Sequence, residues 1–131
     1  MNKTFETTVR VRYQETDNMG VVYYANYFVW FEIARTEHFR SLGISYRELE
    51  AKGFHMMVAS AKCDYKSPTR YDDVVRIESS VTEMRSSSMK FDYKLFVNDR
   101  LVASGDSAHV FTNTSGRPVR IPEEVRNLIS K

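Results

Sequence analysis

The residues best suited to chemistry lie near the start of the chain, between Tyr13 and Tyr27. Asp17 follows a polar stretch and precedes an aromatic-rich segment with helical spacing that begins near Asn26. The first turn of a helix offers unpaired N–H donors and a partial positive charge. Such donors can polarise a carbonyl group, and a nearby carboxylate can act as a nucleophile or a general base. The spacing therefore indicates a site that could attack an acyl group.

This pair of features suits a thioester better than a peptide bond. An amine leaving group needs an acid to protonate it, whereas a thiol with a pKa of about 8.5 leaves readily as a thiolate. One carboxylate and one oxyanion site can therefore suffice. A simpler interpretation is that Asp17 shapes a turn that Gly20 permits, and the spacing alone favours that interpretation.

Hydrophobic periodicity predicts the elements that must position Asp17. Residues 5–13 alternate as a half-buried strand, with Tyr13 on its inner face, and residues 26–42 form a long amphipathic helix. In that helix Asn26 is the expected N-cap, Arg35 points outward, and Gly43 follows the last turn. A short helix is expected at 46–52, strands at 55–65, 74–84, 89–97 and 101–112, and a terminal helix at 122–130. Because helix and strands are segregated along the chain, the fold class is α+β, with one long helix packed on a curved antiparallel five-stranded sheet.

Composition excludes several other classes of protein. A chain of 131 residues suits a single domain, 1–131. Its five glycines are too widely spaced for a phosphate-binding loop, and one cysteine, Cys63, rules out a disulfide framework. The formal net charge of +2 does not indicate a nucleic-acid surface. We expect no metal or other cofactor, no nucleic-acid or membrane partner, and a cytoplasmic location.

Four stretches of the sequence, three of them close together between residues 10 and 37 and one at 68–73, carry a family signature. The matching residues are Arg10-Val11-x-Tyr13, Thr16-Asp17-x-x-Gly20-Val21-Val22-Tyr23-Tyr24-x-Asn26-Tyr27, Trp30-Phe31-Glu32-x-Ala34-Arg35-Thr36-Glu37 and Pro68-x-Arg70-Tyr71-Asp72-Asp73. These blocks resemble the hotdog-fold acyl-CoA thioesterases, specifically the 4-hydroxybenzoyl-CoA thioesterase group. The resemblance runs from about Val9 to Phe111 and implies a hotdog fold.

The resemblance also implies roles for individual residues. Asp17 corresponds to the catalytic carboxylate, and the backbone N–H of Tyr24 to the donor that polarises the thioester carbonyl. Tyrosine at position 24 is similar to the hydroxybenzoyl-CoA branch, whereas many relatives carry histidine there. Glu32 falls where those enzymes place a carboxylate that meets the substrate hydroxyl. Alternatively, Glu32 has no role in substrate binding and pairs with Arg35 or Thr36 on the helix surface.

Nucleotide binding is implied at the turn between the third and fourth strands. Arg85 and Ser87 of this turn would meet the CoA phosphates. The alternative is a solvated hairpin tip. Tyr27, with its aromatic neighbours, could line an acyl pocket.

The resulting hypothesis is an acyl-CoA thioesterase that hydrolyses an acyl- or aroyl-CoA to the free acid and CoA. The alternative is a non-catalytic acyl-CoA-binding or regulatory module of the same fold. Hotdog subunits form their sites between protomers, so the resemblance implies a homo-oligomer, a dimer at least and by expectation a homotetramer.

Overall fold

The computed structural model describes residues 3–131 as five strands and three α-helices. The elements are β1 (Phe5–Arg10), α1 (Asn26–Ser41), α2 (Tyr46–Ala51), β2 (His55–Tyr65), β3 (Val74–Met84), β4 (Ser88–Val97), β5 (Arg100–Thr112) and α3 (Glu123–Ser130), with one 3-10 turn at Tyr13–Glu15. Nearly every predicted element is present within one or two residues of its predicted ends.

All five strands form one antiparallel sheet in the order β1-β3-β4-β5-β2. Buried and exposed residues alternate along β3 and β4, as expected for a sheet with one face on the core. The β4–β5 hairpin turns at Asn98 and Asp99, which both have positive φ. That geometry is the two-residue turn whose twist matches an antiparallel pair. The strands β1 and β2 form the two edges of the sheet.

Helix α1 packs its aromatic face against this sheet. Phe31 is fully buried, and its ring stacks on that of Tyr93 in β4 at 4.2 Å between centroids. Gly105 in β5 permits this approach: a Cβ there would lie 2.6 Å from the Phe31 ring and 2.3 Å from the backbone oxygen of Lys62. The predicted α+β arrangement of one long helix on a five-stranded antiparallel sheet is therefore confirmed.

Three local predictions are wrong. The strand β1 ends at Arg10, and Tyr13 lies in the following 3-10 turn with 77% of its surface exposed. Asn26 is the first residue of α1 and Ala25 is the N-cap, because the Asn26 side chain donates to the carbonyl of Glu15 at 2.9 Å instead of capping the helix. Arg35 points inward, since its Nη1 donates to the hydroxyl of Tyr93 at 3.2 Å.

No helix within residues 3–131 is long and apolar enough to cross a membrane.

Candidate active site

Asp17 lies on a tight loop that connects the 3-10 turn to helix α1. Its backbone N–H donates to Val21 at 2.9 Å, and its carbonyl accepts from Gly20 at 3.0 Å. Its carboxylate Oδ1 accepts the N–H of Met19 at 2.8 Å, so the turn-forming role is present. The second oxygen, Oδ2, has no hydrogen-bond donor among residues 3–131. One oxygen of Asp17 therefore fixes the loop, and the other is available for chemistry.

The backbone N–H of Tyr24 lies just ahead of helix α1. Neither this N–H nor that of Ala25 has an acceptor within residues 3–131, whereas Asn26 and Tyr27 donate back to Tyr23 and Tyr24. Unpaired donors at the positive end of a helix favour an oxygen that carries negative charge. The Tyr24 amide can therefore stabilise an oxyanion.

Glu15 holds the segment from Tyr23 to Asn26 in place, a role that its position in the sequence does not indicate. Its carboxylate is almost fully buried, accepting the Arg12 N–H at 2.7 Å and the Trp30 indole N–H at 3.1 Å. Its carbonyl accepts from the Tyr23 N–H at 2.8 Å and from the Asn26 side chain. A charged residue in a polar stretch is normally read as exposed. Only the contact with Trp30, 15 residues away in the sequence, shows that Glu15 is buried rather than exposed.

Tyr65 at the end of β2 is a second residue that sequence reasoning missed. Its hydroxyl donates to the carbonyl of Tyr24 at 3.0 Å, and its ring meets that of Tyr27 edge-on at 4.9 Å. The hydroxyl of Tyr27 in turn lies 2.8 Å from that of Thr69. The alternating exposure expected of a strand does not reveal that Tyr65 reaches the helix start.

The Asp17 loop, the start of α1 and the end of β2 line a cleft of about 350 Å³. Asp17, Tyr24 and Tyr27 share it with Tyr65 and with the segment Lys66-Ser67-Pro68 that follows β2. Cys63 lies nearby in β2, but burial raises the pKa of its thiol to about 11, so it remains protonated at neutral pH. Asp17 is therefore the better-placed nucleophile or base. Among residues 3–131, no group of three or more His, Cys, Asp or Glu side chains could hold a metal ion.

Glu32 does not reach this cleft within one chain. It lines a second cleft of about 320 Å³ between α1, α2 and the start of β2. The expected helix-surface partners, Arg35 and Thr36, do not bond to it, and no other partner is found among residues 3–131. Glu32 is therefore exposed and unpaired, and it lines a different cleft from Asp17.

Arg85 and Ser87 are farther still from Asp17. The Asp17 cleft adjoins the start of β3, because Val22 donates to Thr69 and Val11 donates to Asp73. Arg85 follows the other end of that 11-residue strand, which is about 35 Å long at 3.3 Å per residue. The Arg85 side chain is exposed and paired with Glu83, and the carbonyl of Ser87 accepts from Phe111. In one chain, therefore, the structure brings together Asp17, Tyr24 and Tyr27 and separates them from Glu32, Arg85 and Ser87.

Comparison with known proteins agrees with this architecture. Residues 11–129 match the family model described as the thioesterase-like superfamily. A putative esterase of Aquifex aeolicus is 36% identical over 120 residues, 92% of this chain and 93% of that protein. The acyl-CoA thioesterase YbgC of Haemophilus influenzae is 33% identical over 129 residues, 96% of this chain and 94% of its own. The structure of the gentisyl-coenzyme A thioesterase BH1999 superposes with a TM-score of 0.89 at 29% identity, covering 95% of this chain and 99% of that one. This chain therefore belongs to the thioesterase-like superfamily and has the hotdog fold.

Proposed function

We propose that this protein hydrolyses an acyl-CoA or aroyl-CoA thioester to the free acid and CoA. The observation that carries the proposal is the pairing, in one cleft, of an unpaired Asp17 oxygen with the unpaired N–H of Tyr24. The names of the related YbgC and BH1999 proteins support the choice of a CoA thioester.

The reaction needs only these two groups. The thioester carbonyl oxygen accepts a hydrogen bond from the Tyr24 N–H, which stabilises the negative charge of the tetrahedral intermediate. Asp17 either attacks the carbonyl carbon itself or takes a proton from the water that attacks. The C–S bond then breaks and CoA leaves as its thiolate, which is a good leaving group without an acid. If Asp17 attacks first, water hydrolyses the resulting anhydride and regenerates the carboxylate.

The preferred acyl group is aromatic in our proposal, as in the 4-hydroxybenzoyl-CoA group of the family. The tyrosine at position 24 and the carboxylate of Glu32 resemble that group. The related structure BH1999 is a gentisyl-coenzyme A thioesterase, and that aromatic thioester supports the same substrate class. Glu32 would meet a substrate hydroxyl, and Tyr27 would pack against the acyl group.

We further propose that the complete site forms between two copies of the chain. The strand β2 is an edge of the sheet, and its residues from 57 to 62 are exposed on both faces. Such a long open edge readily pairs with another strand. Its last residue, Tyr65, lines the Asp17 cleft, and its first, His55, lines the Glu32 cleft. Antiparallel pairing of two β2 strands would set the Asp17 cleft of one copy against the Glu32 cleft of the other.

The same assembly accounts for the nucleotide-binding turn. Arg85 and Ser87 are too distant to contact a CoA that is bound at Asp17 of the same chain, because β3 separates them by about 35 Å. They would contact it only from another protomer. We therefore expect a dimer at least, and a homotetramer if a second interface carries this turn to the nucleotide.

The activity is tested by incubating the protein with benzoyl-, hydroxybenzoyl-, short-chain and medium-chain acyl-CoA and detecting the released thiol with a thiol reagent. A thioesterase releases one thiol for each ester consumed, over many turnovers. Saturable binding of an ester with no thiol released from any member of the panel would instead identify a binding module.

The shared site is tested by mixing two variants. Asp17→Asn removes the carboxylate from one cleft, and Glu32→Trp fills the mouth of the other from an exposed helix position. Each variant alone should be inactive. In an equal mixture of exchanging subunits, half of the dimers are mixed and each has one intact site, so about a quarter of the activity should return. No recovery, or full activity of Glu32→Trp alone, would contradict the shared site.

A further inference from the structure

Arg35 carries a positive charge into the interior without an anion beside it. Its Nη1 donates to the hydroxyl of Tyr93, which is 2.6 Å from that of Ser107, and Ser107 is 2.7 Å from Nε2 of His109. No carboxylate of residues 3–131 lies within ion-pair distance of Arg35, and its buried Nε has no acceptor. A half-buried charge without a partner is costly to the fold. The position of this guanidinium therefore calls for an explanation.

The chain of groups behind Arg35 supplies no compensating charge. Burial and the Arg35 charge lower the pKa of His109 to about 3, so the ring is neutral at physiological pH. Tyr93 is also neutral, since burial raises its pKa above the ordinary value. Of these groups only Tyr93 contacts the guanidinium. Tyr46, which also lies beside Arg35, is neutral as well because burial raises the pKa of its hydroxyl, so the charge of Arg35 is left unbalanced.

The free side of the guanidinium faces the Glu32 cleft. Nη2 makes no hydrogen bond with residues 3–131 and is not among the buried unpaired atoms, so it is open to the cleft that Arg35 lines. Glu32 and Glu50 line the same cleft. Glu32 is one helical turn from Arg35, which is the spacing of a helix ion pair, yet the two do not bond. The cleft therefore presents a free donor and a free acceptor.

A hydroxyl group satisfies both at once. It accepts a hydrogen bond from Arg35 and donates its proton to Glu32. A carboxylate would satisfy Arg35 but would be repelled by Glu32 and Glu50, and an alkyl chain would satisfy neither. An unsubstituted acyl group would thus leave the arginine as unpaired as it is in the free protein.

We propose that Arg35 is a specificity-determining residue that binds the hydroxyl oxygen of a hydroxylated acyl group, at the end remote from the thioester. This inference rests on the proposed thioesterase function and on the shared site. In this arrangement Arg35 donates a hydrogen bond to the substrate hydroxyl, and Glu32 accepts one from it. The hydroxyl thereby supplies the hydrogen-bond acceptor that the half-buried guanidinium lacks on its cleft side.

The test compares hydroxybenzoyl-CoA and benzoyl-CoA as substrates of the wild type, Arg35→Met and Arg47→Met. Methionine matches the length of the arginine stem and removes an unpaired charge, so Arg35→Met should fold. Arg47 is exposed on α2 and serves as the control. We expect the wild type and Arg47→Met to prefer the hydroxylated ester by about tenfold or more in kcat/KM. Arg35→Met should lose that preference, mainly through slower reaction of the hydroxylated ester.

Equal kcat/KM for the two esters in the wild type would overturn the inference, and so would an unchanged preference in folded Arg35→Met. If Arg35→Met does not fold, Arg35→Lys replaces it, because a lysine cannot keep both the Tyr93 and the hydroxyl contacts. If the wild type releases no thiol from any ester, the proposed function fails. The dissociation constants of the same two esters, measured by calorimetry, then test the role of Arg35 alone. The wild type should bind the hydroxylated ester about tenfold more tightly, and Arg35→Met should lose that preference.

Discussion

Replacing Asp17 with asparagine separates its chemical role from its structural role. Oδ1 accepts the Met19 N–H at 2.8 Å, and an asparagine keeps an oxygen in that place. Oδ2, which has no donor among residues 3–131, becomes an NH₂ group that can neither attack a carbonyl nor take a proton from water. The loop should therefore persist while the chemistry is lost.

The expected changes in kcat and in the free energy of unfolding can both be estimated. Loss of a general base or nucleophile lowers kcat by about 10² to 10⁴, which corresponds to about 3 to 5 kcal/mol of activation free energy. The unfolding free energy of Asp17→Asn should stay within about 0.5 kcal/mol of the wild type. Asp17→Ala loses the turn hydrogen bond as well, so its unfolding free energy should fall by about 1 kcal/mol more.

The measurements are thiol release from the best ester and urea unfolding. Asp73→Asn is a matched control, because the Asp73 carboxylate accepts the Arg70 N–H at 2.9 Å in a similar turn but does not line the cleft. It should keep its activity. A kcat for Asp17→Asn above about a tenth of the wild-type value would contradict a catalytic role for Asp17, since a base contributes at least about a hundredfold.

Three further outcomes follow from other parts of the molecule. Tyr65→Phe removes the donor to the Tyr24 carbonyl, so kcat should fall by about three- to tenfold, as expected for one net hydrogen bond, with KM nearly unchanged. Tyr71→Phe, at an exposed ring, is its control, and an equal loss in both variants would dismiss the positioning role. Gly105→Ala forces a Cβ against the Lys62 backbone, so urea unfolding should show about 3 kcal/mol of destabilisation, compared with less than about 0.5 for Ser104→Ala. Because the folded-state pKa of His109 is about 3, below the ordinary value of 6.5, its contribution to stability is present above pH 6.5 and is lost as the pH falls towards 3. That loss reaches about 1.4 kcal/mol per pH unit, and NMR signals of the His109 ring that titrate between pH 7 and 5 would contradict it.

Local pattern was a reliable guide wherever a segment obeys one period. Strands β3 and β4 alternate, and the apolar residues of α1 repeat every three to four residues, so the ends of these elements and their buried apolar positions could be predicted closely. The pattern failed at Tyr13 and Arg35. Apolar and polar residues continue to alternate in the sequence beyond Arg10, although the backbone leaves the strand there. An arginine is expected at the surface, and only the contact with Tyr93 shows that Arg35 points inward.

The α+β class, the order of the elements, and a carboxylate ahead of an aromatic helix could be predicted from the amino-acid sequence, because these features depend on neighbours within a few residues. The family resemblance predicted roles for Tyr24, Glu32 and Arg85 that the local pattern does not indicate. Long-range packing positions Glu15 and Tyr65 against the Tyr24 segment and turns Arg35 inward. It also separates Asp17 from Glu32 and Arg85 within one chain. Those contacts join residues far apart in sequence, and their geometry arises from the packing of α1 on the sheet, which no local period encodes.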